Sequence, residues 1–327
     1  MTTDRSTVDI PDVAEIGAEA SAVLSALGTV IVGRDRTTRL ALAAVLAGGH
    51  VLLEDVPGLG KTMMARGLAQ ALGLDFRRLQ CTPDLQPADV TGSFVYDPDA
   101  RDFQFRPGPL FTGLLLADEI NRTPPKTQSA LLEAMQERQV TVEGRTFPLP
   151  APFHVLATAN PIEYEGTYPL PEAQLDRFLL RLDVGYPPVD EEVEVLRRRL
   201  DRRREEIHLD PVIDATRLRR LQQGVELVDV DPDVLRYCVE LATATRRHRA
   251  VEVGASPRGS QALLLVSRAL AVLDGRDFVL PEDVKSCAVA ALAHRLTMRP
   301  ETWSSGTTGV EVVTELLGTV PGPASTK

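Results

Sequence analysis

Cysteine is scarce and badly placed for cross-linking: Cys81, Cys238 and Cys287 stand far apart in a chain of 327 residues. An odd number, without C-x-x-C or metal-finger spacing, excludes a disulfide scaffold and makes a reduced interior the simplest setting. The five histidines form no ligand pattern. Aromatic residues are only 5% of the chain against 43% hydrophobic, which disfavours an aromatic-rich β-sandwich and suits Leu, Val and Ala packed between helices and parallel strands. Basic charge is not in excess either. The net charge of −10 speaks against a general nucleic-acid binder, so no nucleic-acid partner is expected. Long apolar runs are missing: Leu40–Ala47 and Ala288–Ala293 are too short to cross a bilayer and read as buried helix faces. The start, Met1-Thr2-Thr3-Asp4-Arg5, has no signal-peptide core. A cytoplasmic protein without a membrane span is the expectation.

At this length two packed units are expected. Residues 1–20 read as an N-terminal extension, 21–185 as an α/β domain, 186–317 as a helical domain and 318–327 as a flexible tail. Gly185-Tyr186-Pro187-Pro188 marks the hinge. Beyond it the pattern is helices only, about Asp190–Glu206, Ala215–Gln223, Pro232–Arg246, Ser256–Leu273 and Pro281–Ala293, several entered through Asp-Pro, Ser-Pro or Leu-Pro-Glu-Asp. The arginine-rich stretch from Arg197 to Arg204 is interleaved with Asp201 and flanked by Glu194 and Glu205, as on a solvated helix face.

Val51-Leu52-Leu53-Glu54 reads as a strand feeding Asp55-Val56-Pro57-Gly58-Leu59-Gly60-Lys61-Thr62, with a helix from Met63 to Leu72. That is the layout of a nucleotide phosphate-binding loop. Glycines let backbone N–H groups turn inward on phosphate oxygens, and the helix N-terminus adds positive dipole. Lys61 would pair with the outer phosphates and Thr62 would hold Mg²⁺. The strict pattern wants glycine where Asp55 stands; Asp tolerates left-handed or turn geometry well enough for the loop to close.

Leu114-Leu115-Leu116-Ala117-Asp118-Glu119 is an apolar run ending in two carboxylates, as expected of a strand buried on both faces. Asp118 suits Mg²⁺, and Glu119 suits a general base that polarises the attacking water. The alternative is that the pair merely caps the following helix. Phe153–Pro161 reads as another buried strand, which leaves Asn160 at its end to orient a water against the terminal phosphate, or simply to sit in a turn before proline. Two hairpins are expected, one within Thr91–Phe111 and one over Gln139–Phe147.

Three segments together resemble the MoxR family of AAA+ ATPases over nearly the whole chain: Leu52–Thr62; Leu115–Arg122, which reads Leu-Leu-Ala-Asp-Glu-Ile-Asn-Arg; and Gly166–Phe178, which reads Gly-Thr-Tyr-Pro-Leu-Pro-Glu-Ala-Gln-Leu-Asp-Arg-Phe. Asp55 also looks like that family's usual form. The resemblance implies an α/β AAA+ P-loop core, a doubly wound parallel sheet, followed by a small helical lid. It implies ATP and Mg²⁺ as cofactors, and a homo-oligomeric ring, commonly a hexamer, with ATP at subunit interfaces. The expected nucleotide contacts are Val32 and Gly33 beside adenine and Pro57, Gly58, Leu59, Gly60, Lys61, Thr62 and Met63 around the phosphates. Asn160 becomes sensor 1, and Arg258 sensor 2, reaching the phosphates of its own subunit. Arg177 becomes the arginine finger of the neighbouring site, with Arg122 as a rival.

The two hairpins look like the helix-2 and pre-sensor-1 insertions of this clade and would face the ring pore or a client. The implied function is ATP-driven remodelling, assembly or maturation of a separate client or adaptor, such as one carrying a von Willebrand factor A domain, or metal or cofactor insertion. A magnesium-chelatase-like ATPase subunit, a DNA-translocating motor and a nucleotide-sensing platform are the alternatives. Acidity counts against the motor.

Overall fold

Leu114-Leu115-Leu116-Ala117 offers no polar side to water, and a computed structural model of the chain buries it accordingly on both faces. The structure describes residues 12–56, 58–160, 167–203 and 208–323. In chain order the first part comprises helices α1 (Val13–Gly28) and α2 (Asp35–Leu46), strand β1 (Val51–Glu54), α3 (Lys61–Ala71), β2 (Phe76–Gln80), the short α4 (Pro87–Thr91), the hairpin β3 (Gly92–Asp97) and β4 (Asp102–Pro107), then β5 (Leu114–Asp118). It continues through α5 (Pro125–Glu137), the hairpin β6 (Gln139–Val142) and β7 (Arg145–Pro148), β8 (His154–Ala159), the single turn α6 (Glu172–Leu175) and β9 (Leu180–Leu182).

Five of these strands form one sheet in the order β2-β5-β8-β1-β9, every pair parallel. Because side chains alternate across a strand, Leu114 and Leu116 enter one core with α1, α2 and α3, whereas Leu115 and Ala117 enter a second core with α5. Parallel order also puts every strand C-terminus at one edge, where loops can converge.

Each hairpin leaves this framework. The base of the first needs glycine: Gly92 has φ +93°, and a Cβ there would lie 2.3 Å from the Arg106 carbonyl oxygen. Phe105 of this hairpin stacks on Phe147 of the second at 4.0 Å between centroids, and Phe94 sits beside both at 5.7 and 6.1 Å. The two insertions are thus one aromatic-clamped body. Its tip exposes Tyr96 and Phe103, opposed across the strands.

The second part holds α7 (Val189–Arg202), α8 (Ala215–Val225), α9 (Pro232–Arg247), β10 (Val251–Val253), α10 (Pro257–Leu273), α11 (Pro281–Leu292), β11 (Thr297–Met298) and α12 (Gly309–Thr319). Caps set several starts: Asp214, Asp231 and Ser256 side chains each accept a backbone N–H of the first turn. In α7, Glu194 pairs with Arg197 and Arg198 on a helix that buries none of its residues.

Three sequence expectations need correction. Residue 20 is not the end of an extension, because α1 begins at Val13 and buries Ile16 and Ala20 in the main core. The region after 185 is not helices only; β10 and β11 pair antiparallel and pack with α9 and α12. Gly318 and Thr319 belong to α12, held by a Thr308–Glu311 capping box at its start. Residues 1–11, Pro57, Arg204, Glu205 and 324–327 lie outside the described residues.

The N-terminal edge of the sheet contains buried imidazoles. His50 accepts the Val155 N–H at Nδ1 (2.9 Å) and meets the Met135 carbonyl through Nε2 (3.1 Å); His154 meets the Gly49 carbonyl through Nδ1 (2.9 Å) and Gln222 through Nε2 (3.1 Å). Burial pushes both pKa values down, His154 to about 4, and neighbouring Arg138 adds to the effect. Such a histidine takes up its proton only on unfolding. Its contribution is therefore intact above the unfolded value near 6.5 and is lost as pH falls below it. Between pH 7 and pH 5 the loss for His154 is expected to be about 2 kcal/mol. Urea unfolding of His154→Gln at both pH values should show a fall smaller by that amount; equal falls would mean that His154 is charged in the folded chain.

Candidate nucleotide site

The loop after β1 is shaped by Gly58 and Gly60, with φ of +85° and +83°. Gly60 caps α3, so Lys61 and Thr62 occupy its first turn, followed by Met63. The Lys61 side chain is buried and donates to the Asp55 carbonyl (2.6 Å). Burial lowers its pKa, while Asp55, Asp118, Glu119 and Glu54 pull the other way. Those four carboxylates therefore surround a single ammonium. Asp55 does not use the left-handed geometry that its position suggested. Instead its Oδ1 accepts the Val56 N–H (2.7 Å), and Oδ2 accepts the Gly185 N–H of the hinge. The residue that replaces glycine is a staple between loop and hinge.

Asp118 and Glu119 close β5 at the same edge. The Asp118 Oδ1 accepts from Thr158 (2.6 Å), and Oδ2 accepts from Arg78 Nε (3.0 Å) and Nη2 (2.7 Å). Glu119, in the left-handed region at φ +61°, gives its N–H to the Thr158 hydroxyl (2.8 Å), and its carboxylate takes Gln80 (2.9 Å) and Arg122 (3.2 Å). Asn160 follows β8 directly and is buried; its carbonyl accepts from Asn121 (3.0 Å), while the Asp55 N–H donates to the Ala159 carbonyl (3.1 Å). Loop, acidic pair and Asn160 are thus brought together. Val32 and Gly33 lie between α1 and α2, where Glu191 of α7 packs in the place that a Gly33 Cβ would take.

Arg177 and Arg258 are elsewhere. Both line a cavity of about 260 Å³ with Gly49, His50, Arg138 and Arg295. Gly49 and His50 precede β1, and Arg177 precedes β9, so the cavity lies at the N-terminal edge of the sheet. Five residues of extended chain from His50 to Asp55 put the two edges roughly 15 Å apart. The expectation that Arg258 reaches its own subunit's phosphates is therefore corrected: its helix start is docked at the opposite edge. Among the described residues, neither guanidinium has a hydrogen-bond or ion-pair partner, and the acids near Arg177 in sequence are engaged elsewhere, Asp176 with Arg295 and Glu172 with Thr297.

Sequence reading missed Arg78, Gln80 and Thr158. Thr158 was detectable as the one hydroxyl in an apolar strand. Arg78 and Gln80 alternate on one side of β2, but only the β2–β5 pairing reveals that this side faces Asp118.

A parallel sheet with a glycine loop after one strand, an acidic pair after a neighbouring strand and a helical second unit defines a P-loop ATPase of the AAA+ class. Two family models agree: the ATPase family associated with various cellular activities (AAA) matches residues 50–180, and the AAA lid domain matches residues 243–316. The chain is 50% identical to the uncharacterized protein YeaC of Bacillus subtilis, over 91% of this chain and 92% of that one. It is 42% identical to chaperone MoxR1 of Mycobacterium tuberculosis, over 90% and 80%. A crystal structure of a candidate ATPase from Cytophaga hutchinsonii superposes with a TM-score of 0.88 at 37% identity, covering 94% of this chain and 96% of that one. The chain belongs to the MoxR family of AAA+ ATPases and is an ATP hydrolase. Among the described residues no helix is long and apolar enough to cross a membrane.

Proposed function

We propose that this protein is a Mg²⁺-dependent ATPase that works as a ring, hydrolysing ATP between neighbouring copies to remodel, assemble or mature a separate client protein. The observation that carries this reading is the division of one site between two edges of one sheet. Lys61, Asp118, Glu119 and Asn160 gather at the C-terminal edge, and Arg177 and Arg258, whose guanidinium groups have no partner among the described residues, gather at the other. Within a chain these halves cannot meet. A head-to-tail contact that closes by rotation brings each arginine corner to the next copy's loop and generates a ring; family resemblance favours six copies.

Hard oxygen donors fit Mg²⁺: the Thr62 hydroxyl stands in the first turn of α3, and Asp118 keeps a carboxylate oxygen turned to the Arg78 cation. These two residues would hold the ion, whose chemistry is to neutralise charge on the phosphates. Gly58, Leu59, Gly60, Lys61, Thr62 and Met63 would cradle the phosphates, with Val32 and Gly33 beside the base. Glu119 would take a proton from water that Asn160 orients. Arg177 and Arg258 would stabilise negative charge on the transferring group from across the interface. The name of the mycobacterial relative supports a chaperone role. The clamped hairpins, with Tyr96 and Phe103 exposed, are the surface offered to a client; a von Willebrand-type adaptor or a metal-insertion partner remains within this proposal.

Specific activity should rise steeply with protein concentration as copies associate. ATP hydrolysis per chain, measured across a dilution series with light scattering in parallel, checks this. Activity per chain that stays flat through dissociation would mean that each copy hydrolyses alone.

A further inference from the structure

Arg177 belongs to the core and Arg258 to the lid, yet they line one cavity. The groups that keep them there converge on Asp176. Its Oδ1 accepts from Arg295 Nε at 2.7 Å, and its Oδ2 accepts from the Ser256 hydroxyl at 3.0 Å. Ser256 is also the cap of α10, where its oxygen accepts the Arg258 N–H at 3.1 Å. One carboxylate therefore sits a single residue before Arg177 and one hydrogen bond away from the cap that fixes Arg258.

Arg295 strengthens the link from the other side. Its side chain is only 3% exposed, and it donates to the carbonyls of Phe178 (2.7 Å) and Leu179 (3.3 Å) as well as to Asp176. A lid residue thus holds the backbone that follows Arg177 and the side chain that precedes it. A planar guanidinium can span these acceptors at once, which an ammonium could not do in the same geometry. A buried ion pair contributes little net stability against an apolar substitute, so stability alone is a poor account of a pair with these additional bonds. Meanwhile Arg177 itself is left without a partner among the described residues, directed to the shared cavity.

We infer that Asp176 is a positioning residue that binds the arginine finger and the lid arginine into one unit, so that lid movement places both on the neighbouring nucleotide together. The inference rests on the reading that both arginines act across the subunit interface. Its consequence is that loss of Asp176 impairs the neighbour's site and spares the chain's own.

Mixed assemblies test this. Asp176→Ala should bind ATP normally but lose turnover on the order of 10²-fold, the effect expected of misplacing a catalytic group by about 1 Å. Mixing it with Glu119→Gln, which has an inactive site but an intact arginine corner, should restore activity well above the sum of the two variants. Arg177→Ala mixed with Glu119→Gln is the control. If the control is not rescued, the interface reading falls, and this inference with it. If the control is rescued but Asp176→Ala is not, or if Asp176→Ala keeps full turnover, the inference alone is overturned. Should Asp176→Ala fail to fold, Ser256→Ala carries the test, since it keeps the Arg295 pair and removes the hydroxyl that joins Asp176 to the first turn of the lid helix. A loss of roughly tenfold with rescue on mixing is expected; unchanged turnover overturns the inference.

Discussion

Replacing Arg177 by alanine is expected to lower steady-state ATP turnover by about 10³-fold while nucleotide still binds. The geometry gives the reason for both halves of that result. The guanidinium stands at the strand N-termini, away from the glycine loop of the same chain that we propose holds phosphate, so its removal should leave binding there intact. What it removes is charge brought to the transferring group from outside, worth about 4 kcal/mol of barrier for the expected effect. Arg177→Lys should recover little, because a point charge does not reproduce the fork. Fluorescence titration with a nucleotide analogue and a phosphate-release assay on the same sample separate the two quantities. Turnover within tenfold of the parent would transfer the role to Arg122, whose present partner is Glu119.

The second large effect is expected at Glu119. Glu119→Gln should leave ATP bound and reduce hydrolysis by about 10²- to 10⁴-fold, the range for loss of a general base. The amide keeps the size of the side chain and can still meet Gln80, but it cannot take a proton from water. It also gives up the ion pair with Arg122. Single-turnover measurement with pre-bound ATP distinguishes slow chemistry from slow product release. Unchanged single-turnover rates would remove Glu119 from the role of base and leave a second carboxylate to be tested.

The legible parts of the site were those written as contiguous residues. The glycine loop, the acidic pair after an apolar run and the Asn160 strand end each combine local backbone preference with side-chain chemistry, so each could be read without knowing its neighbours. The strand character of Leu114–Asp118 followed from its having no polar face. What escaped was every relation that depends on strand order. Nothing near Arg78 says that it will lie against Asp118, 40 positions later, until β2 is placed beside β5. For Arg258 the family resemblance implied contact with its own subunit's phosphates; its Ser-Pro helix start is a local signal, whereas the docking of that start on Asp176 is a tertiary contact that no local signal carries. The small β10–β11 pair was missed because three residues and two residues are too short to show a period of two.

The stack of Phe105 on Phe147 has a mechanical consequence. The first hairpin leads into β5, and the second lies between α5 and β8, so the chain between Asp118 and Asn160 passes through the second hairpin, to which the first is clamped. Two flexible fingers on separate roots would dissipate a displacement at the strand ends. Joined by a ring stack, they act as a single stiff lever whose pivot, next to Arg138, is the arginine edge of the sheet and whose free end carries Tyr96 and Phe103. A shift of a fraction of an ångström at the pivot then becomes a larger stroke at the tip, delivered with both hairpins in phase.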